Sequence, residues 1–279
     1  MTKKEEFDLQ IKHEMNLDNS NCGYRINGKV YENYFSNECW KNMLDEMKDN
    51  YLTIYRCFSN GFELNEHTVK RCTYPPKMAS VASSSRQLYM LCKNGNMKPL
   101  KIYAKATNDF EFEKSLPIIS GNKTIAHSHL DGFYCDNGHA NFIEAKCHEI
   151  FDYHGLRLSK SYEELIKSEF GDCFQIIDNK IVFKKEDFKV NTDDKLLFDI
   201  KQFICHLLAI SKTKCENKKL IYVYFKPESY EYDSIYNQLK TQFKNILQTE
   251  FIKKFTDKHK IEVNLECISI LRCKKILAL

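Results

Sequence analysis

The segment at residues 126–151, AHSHLDGFYCDNGHANFIEAKCHEIF, constrains the fold more than any other part of the chain. Its two halves flank a turn at residues 136–138, and Asn-Gly between two strand-like runs is a strong signal for a β-hairpin. Because side chains alternate between the two faces of a strand, Glu144 and Lys146 share one face. The opposite face carries the residues expected in the core, Ile143, Ala145 and Cys147.

This hairpin carries three ionisable residues where a sheet core is expected. Asp131 lies on the first strand, and Glu144 and Lys146 lie on the second among apolar neighbours. Apolar residues on both sides of Glu144 are typical of a central strand. Burying carboxylates and an amine is costly unless something compensates their charge. A divalent metal ion held by the two carboxylates would provide that compensation.

The spacing of these residues resembles the signature of the PD-(D/E)XK nuclease superfamily, an acidic residue followed after a spacer by Glu or Asp, any residue, and Lys. Here the signature reads Asp131, twelve spacer residues, then Glu144, Ala145 and Lys146. The resemblance covers roughly residues 75–227 and has no counterpart in residues 1–74. It implies an α/β fold of the restriction-endonuclease-like type, with a central mixed β-sheet flanked by helices and an N-terminal extension.

The resemblance also implies an activity, which is hydrolysis of DNA phosphodiester bonds with Mg²⁺ or Mn²⁺. Asp131, Glu144 and the Ala145 carbonyl would hold the ion, since Mg²⁺ prefers oxygen ligands and keeps several waters. The ion would orient the phosphate and lower the pKa of a bound water. Lys146 would position or deprotonate that water, or stabilise the transition-state anion. A lysine near a metal and an apolar strand can have a depressed pKa, which suits this role.

The resemblance is compatible with a role in restriction or defence, and RNA stays open as a substrate. A homodimer is compatible with the sequence, which does not fix the oligomeric state. Further residues are candidates for supporting the metal ligands or for binding substrate. They are Glu113, His127, His129, Gln202, Ser84 and Arg86. For most of them a structural role explains the pattern as well, either as polar surface or as close packing of small residues between helix and sheet.

Two alternative functions remain open from the sequence. The first is a zinc-dependent nuclease that draws on the five histidines between residues 127 and 154, with His127, His129 and either Cys147 or His148 as ligands. Those histidines are His127, His129, His139, His148 and His154. The second is a nucleic-acid-binding module without turnover, against which the intact Asp131, Glu144 and Lys146 argue.

Composition places few further limits on function. The 279-residue chain carries a formal net charge of +4, which permits a polyanionic partner but does not demand one. Its twelve cysteines contain no C-x-x-C pair, so we expect reduced thiols in a cytoplasmic protein. The charged N-terminus lacks the apolar core of a signal peptide, and no apolar run reaches membrane-spanning length.

Periodicity and turn signals predict the order of helices and strands along the chain. Residues 1–75 form the N-terminal extension, with substrate recognition as its expected role, and residues 76–279 form the core, with an insertion near 152–190. Helices are predicted from Ser36, within 77–93, and over 161–170, 195–211 and 233–258. Strands are predicted at 101–105, 110–118, 219–225 and 261–271, with a small hairpin at 173–183 and strand or loop within 50–74.

Overall fold

The computed structural model describes residues 1–18, 20–59, 61–93, 100, 110–136 and 138–270. Its described part contains eight α-helices: α1 Lys3–Glu14, α2 Asn37–Asn50, α3 Leu52–Ser59, α4 Ser84–Lys93, α5 Glu163–Phe170, α6 Ile200–Ser211, α7 Asp233–Leu247 and α8 Glu250–His259. The strands are β1 Cys22–Ile26, β2 Lys29–Phe35, β3 His67–Val69, β4 Cys72–Tyr74, β5 Phe110–Ser120, β6 Lys123–Asp136, β7 His139–Lys146, β8 Arg157–Ser159, β9 Gln175–Ile177, β10 Lys180–Val182, β11 Asn217–Lys226 and β12 Ile261–Ser269.

A five-stranded mixed sheet forms the centre of the protein, with strand order β12-β11-β7-β6-β5. Strands β5, β6 and β7 are antiparallel neighbours, whereas β11 runs parallel to both β7 and β12. The predicted α/β class with a mixed sheet is therefore confirmed. β11 has a strand on each side, and residues 220–225 are buried. This explains its continuous apolar run, since an interior parallel strand is covered on both faces.

The predicted hairpin is formed by β6 and β7, with Asp136 opposite His139 across the turn. Asn137 lies outside the described residues. β7 is buried on both faces: Ile143 and Phe142 are both fully inaccessible to solvent, although they point in opposite directions. The core face predicted for this strand is correct, and Ala145 and Cys147 are buried as well.

Helices α4 and α6 cover opposite faces of the sheet. A Cβ atom added to Gly132 on β6 would contact Leu88 of α4, which places α4 on the Gly132 face. His206 of α6 contacts the Tyr222 hydroxyl, and Tyr222 is aligned with Glu144 in the register of β7 and β11. Gly132 pairs with Ile143, so Ile143 shares the face covered by α4. Glu144 follows Ile143 on β7 and therefore faces the other way, toward α6.

Gly132 is a point of close packing beside the candidate site. An added Cβ would lie 2.4 Å from Cζ of Phe110, which is closer than real Cβ atoms approach. We expect Gly132→Ala to lower the free energy of unfolding by about 1–3 kcal/mol through overpacking. Urea denaturation would measure the change, with Gly155→Ala as the control because nothing lies within 4 Å of its added Cβ. Equal stability of the two variants would contradict this account of the packing.

The N-terminal region packs into the same hydrophobic core as the sheet. The ring of Phe7 lies 5.6 Å from the ring of Phe151 and 5.3 Å from that of Tyr232. Phe58 of α3 contacts Phe112 of β5 with a centroid distance of 4.9 Å. These contacts join residues before Pro75 to the core through large apolar surfaces.

Several helix boundaries differ from the predictions. The region at 50–74, where strand or loop was expected, contains the short strands β3 and β4 but also the helix α3. The helix within 77–93 begins only at Ser84. The helix predicted at 195–211 begins at Ile200, because the Asp199 side chain accepts a hydrogen bond from the Gln202 amide and caps it there.

The long helix predicted at 233–258 is interrupted and becomes α7 and α8. Thr249 has extended dihedral angles, φ −70° and ψ 140°, and its hydroxyl donates to the Ile246 carbonyl. A threonine hydroxyl that bonds a nearby backbone carbonyl competes with the backbone hydrogen bonds of a helix and disfavours its continuation. The strand predicted at 101–105 lies outside the described residues.

The insertion after β7 contains α5 and a small three-stranded sheet of order β8-β10-β9. Its hairpin turns at Asp178 and Asn179, which both have positive φ and tolerate that conformation well. The helix and hairpin predicted in this segment are therefore confirmed, with α5 beginning at Glu163.

Two expectations from composition can be compared with the structure. All eleven cysteines within the described ranges are free thiols, of which two are exposed, three are buried and six are partly buried. None of the helices in the part of the chain described here is long and apolar enough to span a membrane.

Candidate active site

The β6–β7 hairpin brings Asp131, Glu144 and Lys146 together. Asp131 directly precedes Gly132, which pairs with Ile143, so the Asp131 and Glu144 side chains are neighbours on one face. The Asp131 Oδ2 atom accepts a hydrogen bond from the Ala145 amide at 2.6 Å. The Lys146 amine donates to Glu144 Oε1 at 2.5 Å. The structure thus places the three residues of the signature in one cluster.

These residues line a cavity of about 340 Å³ at the end of the hairpin. One wall is the hairpin itself, from Asp131 and residues 144–146. The other wall comes from the first turn of α4 and from the N-terminal region, through Ser84, Glu63, Lys77 and Tyr34. The cavity is open and polar, and it gives a solvent-borne ligand access to the carboxylates.

Helix α6 holds the Glu144 carboxylate from behind. Gln202 Nε2 donates to Glu144 Oε1 at 2.8 Å, and His206 Nε2 lies 3.6 Å from Oε2. His206 is buried, which lowers the pKa of its imidazole and keeps the ring neutral despite the nearby Glu144. With Nε2 directed at the His129 carbonyl at 3.1 Å, Nδ1 is left to accept from the Tyr222 hydroxyl at 2.8 Å. Gln202, a sequence candidate, therefore positions Glu144.

The carboxyl of Asp131 is hard to ionise in this setting. Burial, and next the charge of Glu144, raise its pKa well above the ordinary value, while Lys146 and the Ala145 amide act in the opposite direction. The charged form is thus destabilised by desolvation and repulsion. A bound cation would relieve both.

Glu113 adds a third acidic group beside this pair. It lies on β5 between the residues paired with Gly132 and Leu130, and therefore opposite Asp131. Its φ of +54° is uncommon for a residue other than glycine. Burial and the nearby Glu63 raise the pKa of Glu113 to about 7. The side chain is close enough to influence the site electrostatically, but it is not among the residues that line the cavity.

The pKa of Lys146 is raised in the protein alone, whereas the predicted depression applies to a site that holds a metal ion. Burial alone would lower it, but the carboxylates of Glu144, Glu149 and Asp131 outweigh burial and raise the pKa above the ordinary value. Lys146 is therefore a stable ammonium ion here, and it cannot act as a base unless the charge around it changes.

Glu63 is a cavity residue that sequence analysis missed. It lies between α3 and β3 and is only 9% exposed. Its Oε1 atom is 3.2 Å from the Lys77 amine, and its Oε2 atom has no hydrogen-bond partner within the described chain. No local pattern marks it, because its burial depends on the packing of the N-terminal region against the hairpin.

Arg86 does not contact the cavity. It is 2% exposed, and its guanidinium donates to the carbonyls of Met78, Ser80 and Val81. The prediction that Arg86 contacts a phosphate is therefore wrong. Its guanidinium stabilises the loop before α4 instead. Ser84, by contrast, lines the cavity, and its hydroxyl lies 3.4 Å from Glu149 Oε1.

The histidines of residues 127–154 are dispersed over the molecule. His127 is exposed and contacts Ser115, His148 is bonded to Asp8 at 3.0 Å, and His154 lies 3.7 Å from Asp199. His129 is exposed and contributes only its carbonyl, to His206. The expected cavity contacts of His127 and His129 are not present, and this dispersal does not favour the zinc alternative.

The donor set fits a hard cation better than zinc. Across the described residues there is no group of three or more His, Cys, Asp or Glu side chains arranged to hold a metal ion. A Mg²⁺ site needs only one or two carboxylates, with waters completing its coordination. Asp131 and Glu144 supply two, next to the unpartnered Oε2 of Glu63. A Mg²⁺ ion held by only two carboxylates is consistent with the absence of a three-ligand group among the described residues.

Comparison with known proteins gives no relative from which a function could be transferred. No family model, no curated protein and no solved structure matches this chain.

Proposed function

We propose that this protein is a Mg²⁺- or Mn²⁺-dependent nuclease of the PD-(D/E)XK type that hydrolyses phosphodiester bonds of DNA. The observation that carries the proposal is the convergence of Asp131, Glu144 and Lys146 at one open cavity. Two carboxylates and an amine on adjacent central strands are costly unless they serve chemistry or binding.

The arrangement of secondary structure around the cavity supports the same proposal. The chain passes through α4, β5, β6, β7, α6 and β11 in that order, and all of them pack around one sheet. Helix, strand, two signature strands, helix and strand is the order that the resemblance to the superfamily requires. It is the basis for proposing a restriction-endonuclease-like fold.

Asp131 and Glu144 would hold the metal ion, with the Ala145 carbonyl as a third oxygen ligand. When bound, Mg²⁺ supplies a Lewis acid for the phosphate and lowers the pKa of a coordinated water. Gln202 keeps Glu144 oriented by its hydrogen bond at 2.8 Å. Such support of a ligand from behind is common in metal sites and raises both affinity and precision.

Lys146 is assigned to stabilise negative charge on the phosphate in the transition state. Its ammonium group donates a hydrogen bond of 2.5 Å to Glu144 and lines the cavity that a phosphate would enter, where a positioned cation offsets developing negative charge. The Ser84 hydroxyl and the amide end of α4 face the same cavity and would contact a phosphate oxygen.

A cleavage assay tests the proposal directly. Supercoiled and linear DNA are incubated with the wild-type protein with and without Mg²⁺, and in parallel with Glu144→Ala. We expect cleavage that needs both the ion and Glu144. Cleavage by the variant at the wild-type rate, or activity that persists in EDTA, would reject this site as the catalytic centre.

The same assay separates the two alternatives. A nucleic-acid-binding module without turnover would bind DNA and leave it intact at every Mg²⁺ and Mn²⁺ concentration. A zinc nuclease would retain zinc through purification and lose activity with it. Parallel reactions with RNA of the same sequence establish whether the substrate is DNA.

A further inference from the structure

A row of five aromatic rings extends from the candidate active site over two hairpins. We call it the aromatic row; its members are Tyr34, Tyr31, Tyr74, His67 and Phe62. Successive ring centroids lie 5.8, 6.2, 5.7 and 4.9 Å apart. Tyr34 lines the cavity, and Phe62 adjoins Glu63, which lines it too. One end of the row therefore lines the cavity, and the other end is adjacent in sequence to a residue that lines it.

The rings of this row are only partly covered by protein. Phe62 is 57% exposed, and the other four are half-buried. A contiguous series of aromatic surfaces in contact with water is unfavourable for a free protein and is characteristic of a binding surface. The contacts among the rings fix their positions, so a ligand would meet a preformed surface.

Cationic side chains accompany the aromatic row. The Lys29 amine lies 4.5 Å from the centroid of the Tyr31 ring, and Lys77 lines the cavity. Lys70 and Arg71 are exposed at the turn between β3 and β4, which carry His67 and Tyr74.

Three acidic residues lie among these cations. Glu63 pairs with Lys77, and Glu66 accepts a hydrogen bond from the Tyr24 hydroxyl at 3.1 Å but keeps its charge. The third acid is the exposed Glu32. Lys29, Lys70 and Arg71 outnumber Glu32 and Glu66, so the balance of these groups is slightly positive and favours an anionic partner.

We propose that Phe62, the exposed ring at the end of the aromatic row, stacks on an unpaired base of a DNA strand whose backbone passes into the candidate active site. The inference rests on the proposed nuclease function and adds the substrate class, which is single-stranded or locally unpaired DNA. Rings with cations between them are the usual means of binding single strands, because every base offers a flat face and every nucleotide a phosphate. In a duplex those base faces are stacked on one another and closed to the row.

Binding measured without divalent ions tests this inference separately from cleavage. Fluorescence anisotropy in EDTA would compare a labelled 20-nucleotide single strand, its duplex, and RNA of the same sequence. We expect the single strand to bind at least about tenfold more tightly than the duplex, and Phe62→Ala to weaken it roughly 5- to 100-fold. Phe62→Trp should retain affinity because it keeps a stacking ring.

Tyr230→Ala is the matched control, because Tyr230 is 81% exposed and lies outside the row. Its affinity for the single strand should equal that of the wild type. As a second measurement, 2-aminopurine in the strand should be quenched on binding to the wild type and not to Phe62→Ala. If Phe62 only supported the local structure without stacking on a base, Phe62→Ala would still quench the 2-aminopurine on binding.

Each other outcome overturns the inference in a defined way. Equal affinity for duplex and single strand, no binding at all, or an unchanged Phe62→Ala would remove the aromatic row as a base-binding surface. Tighter binding of RNA than of DNA would reject the assignment to DNA. If cleavage requires Mg²⁺ and Glu144 while Phe62→Ala behaves as the wild type, the row alone is refuted. If stacking is observed but no cleavage occurs, the nuclease proposal is refuted instead.

Discussion

Lys146→Ala should retain metal binding and fold while losing about 10²- to 10⁴-fold of the cleavage rate, which is the usual contribution of one positioned acid–base or electrostatic group. Glu144→Ala should lose metal affinity as well. The reason is a division of labour between the two side chains. A carboxylate is a ligand, and its removal leaves the ion undercoordinated. The ammonium ion of Lys146 is not a ligand, so it acts on the phosphate or on the water.

Lys146→Arg provides a stricter test of the same assignment. A guanidinium retains the charge but is larger and planar, so we expect only partial recovery of the rate. Calorimetry would give Mg²⁺ affinities for the three variants, and single-turnover cleavage of DNA would give their rates. Near wild-type cleavage by Lys146→Ala would show that the lysine is only the ion-pair partner of Glu144 at 2.5 Å.

The second large effect concerns the dependence of stability on pH. The pKa of Glu113 is raised from 4.5 to about 7, and that of Asp131 is raised as well, so in both cases the folded protein holds its proton more tightly than the unfolded chain. In the window between pH 4.5 and about 7 the unfolded state has released protons that the folded state retains. The contribution of these two carboxyl groups to stability therefore falls as pH rises through this window, the reverse of the behaviour of a salt-bridged carboxylate.

Glu113→Gln should remove part of this dependence. We expect the variant to exceed the wild type by about 1–2 kcal/mol at pH 8 and to match it near pH 4, after allowance for partial solvent screening. Urea denaturation at several pH values without divalent ions would measure it. Glu111→Gln is the control on the same strand, since Glu111 is exposed and paired with Lys114 at 2.8 Å.

Addition of Mg²⁺ should restore stability to the wild type at pH 8. A ligand at about 100 times its dissociation constant adds roughly 2.7 kcal/mol to a folded state that alone binds it. Glu144→Ala should gain little under the same conditions. A stability difference between Glu113→Gln and the wild type that is the same at pH 4 and pH 8 would contradict the electrostatic description of the site.

The sequence was most informative where local pattern and tertiary role coincide. The β6–β7 hairpin and the strand β11 follow from alternation, a turn and a continuous apolar run, and both predictions are confirmed. Gln202 is a candidate because helical spacing and the resemblance both direct it toward the signature. Periodicity does not predict the start of α6 or the end of α7, because the side chains of Asp199 and Thr249 set these boundaries through hydrogen bonds to the backbone.

Other features depend on contacts between distant parts of the chain. Glu63 joins the site only because α3 packs on β5, which no local pattern of residues 50–74 reveals. Arg86 cannot contact a phosphate because its guanidinium donates to three carbonyls of the preceding loop, and these contacts are not visible in the sequence. Whether the pKa of Lys146 rises or falls depends on the balance between burial, which lowers it, and the charges of three carboxylates, which raise it. The sequence identifies these groups but not their distances from Lys146.

The parallel pairing of β11 with β7 has a consequence for synthesis of the chain. The hairpin that carries Asp131 and Glu144 emerges from the ribosome long before Gln202, His206 and Tyr222, which hold Glu144 in place. Nascent chains can form the local hairpin early, but closing the parallel pair across the whole insertion is a slow, non-local step. The Glu144 carboxylate therefore reaches its final orientation only after Gln202, His206 and Tyr222 have been synthesised.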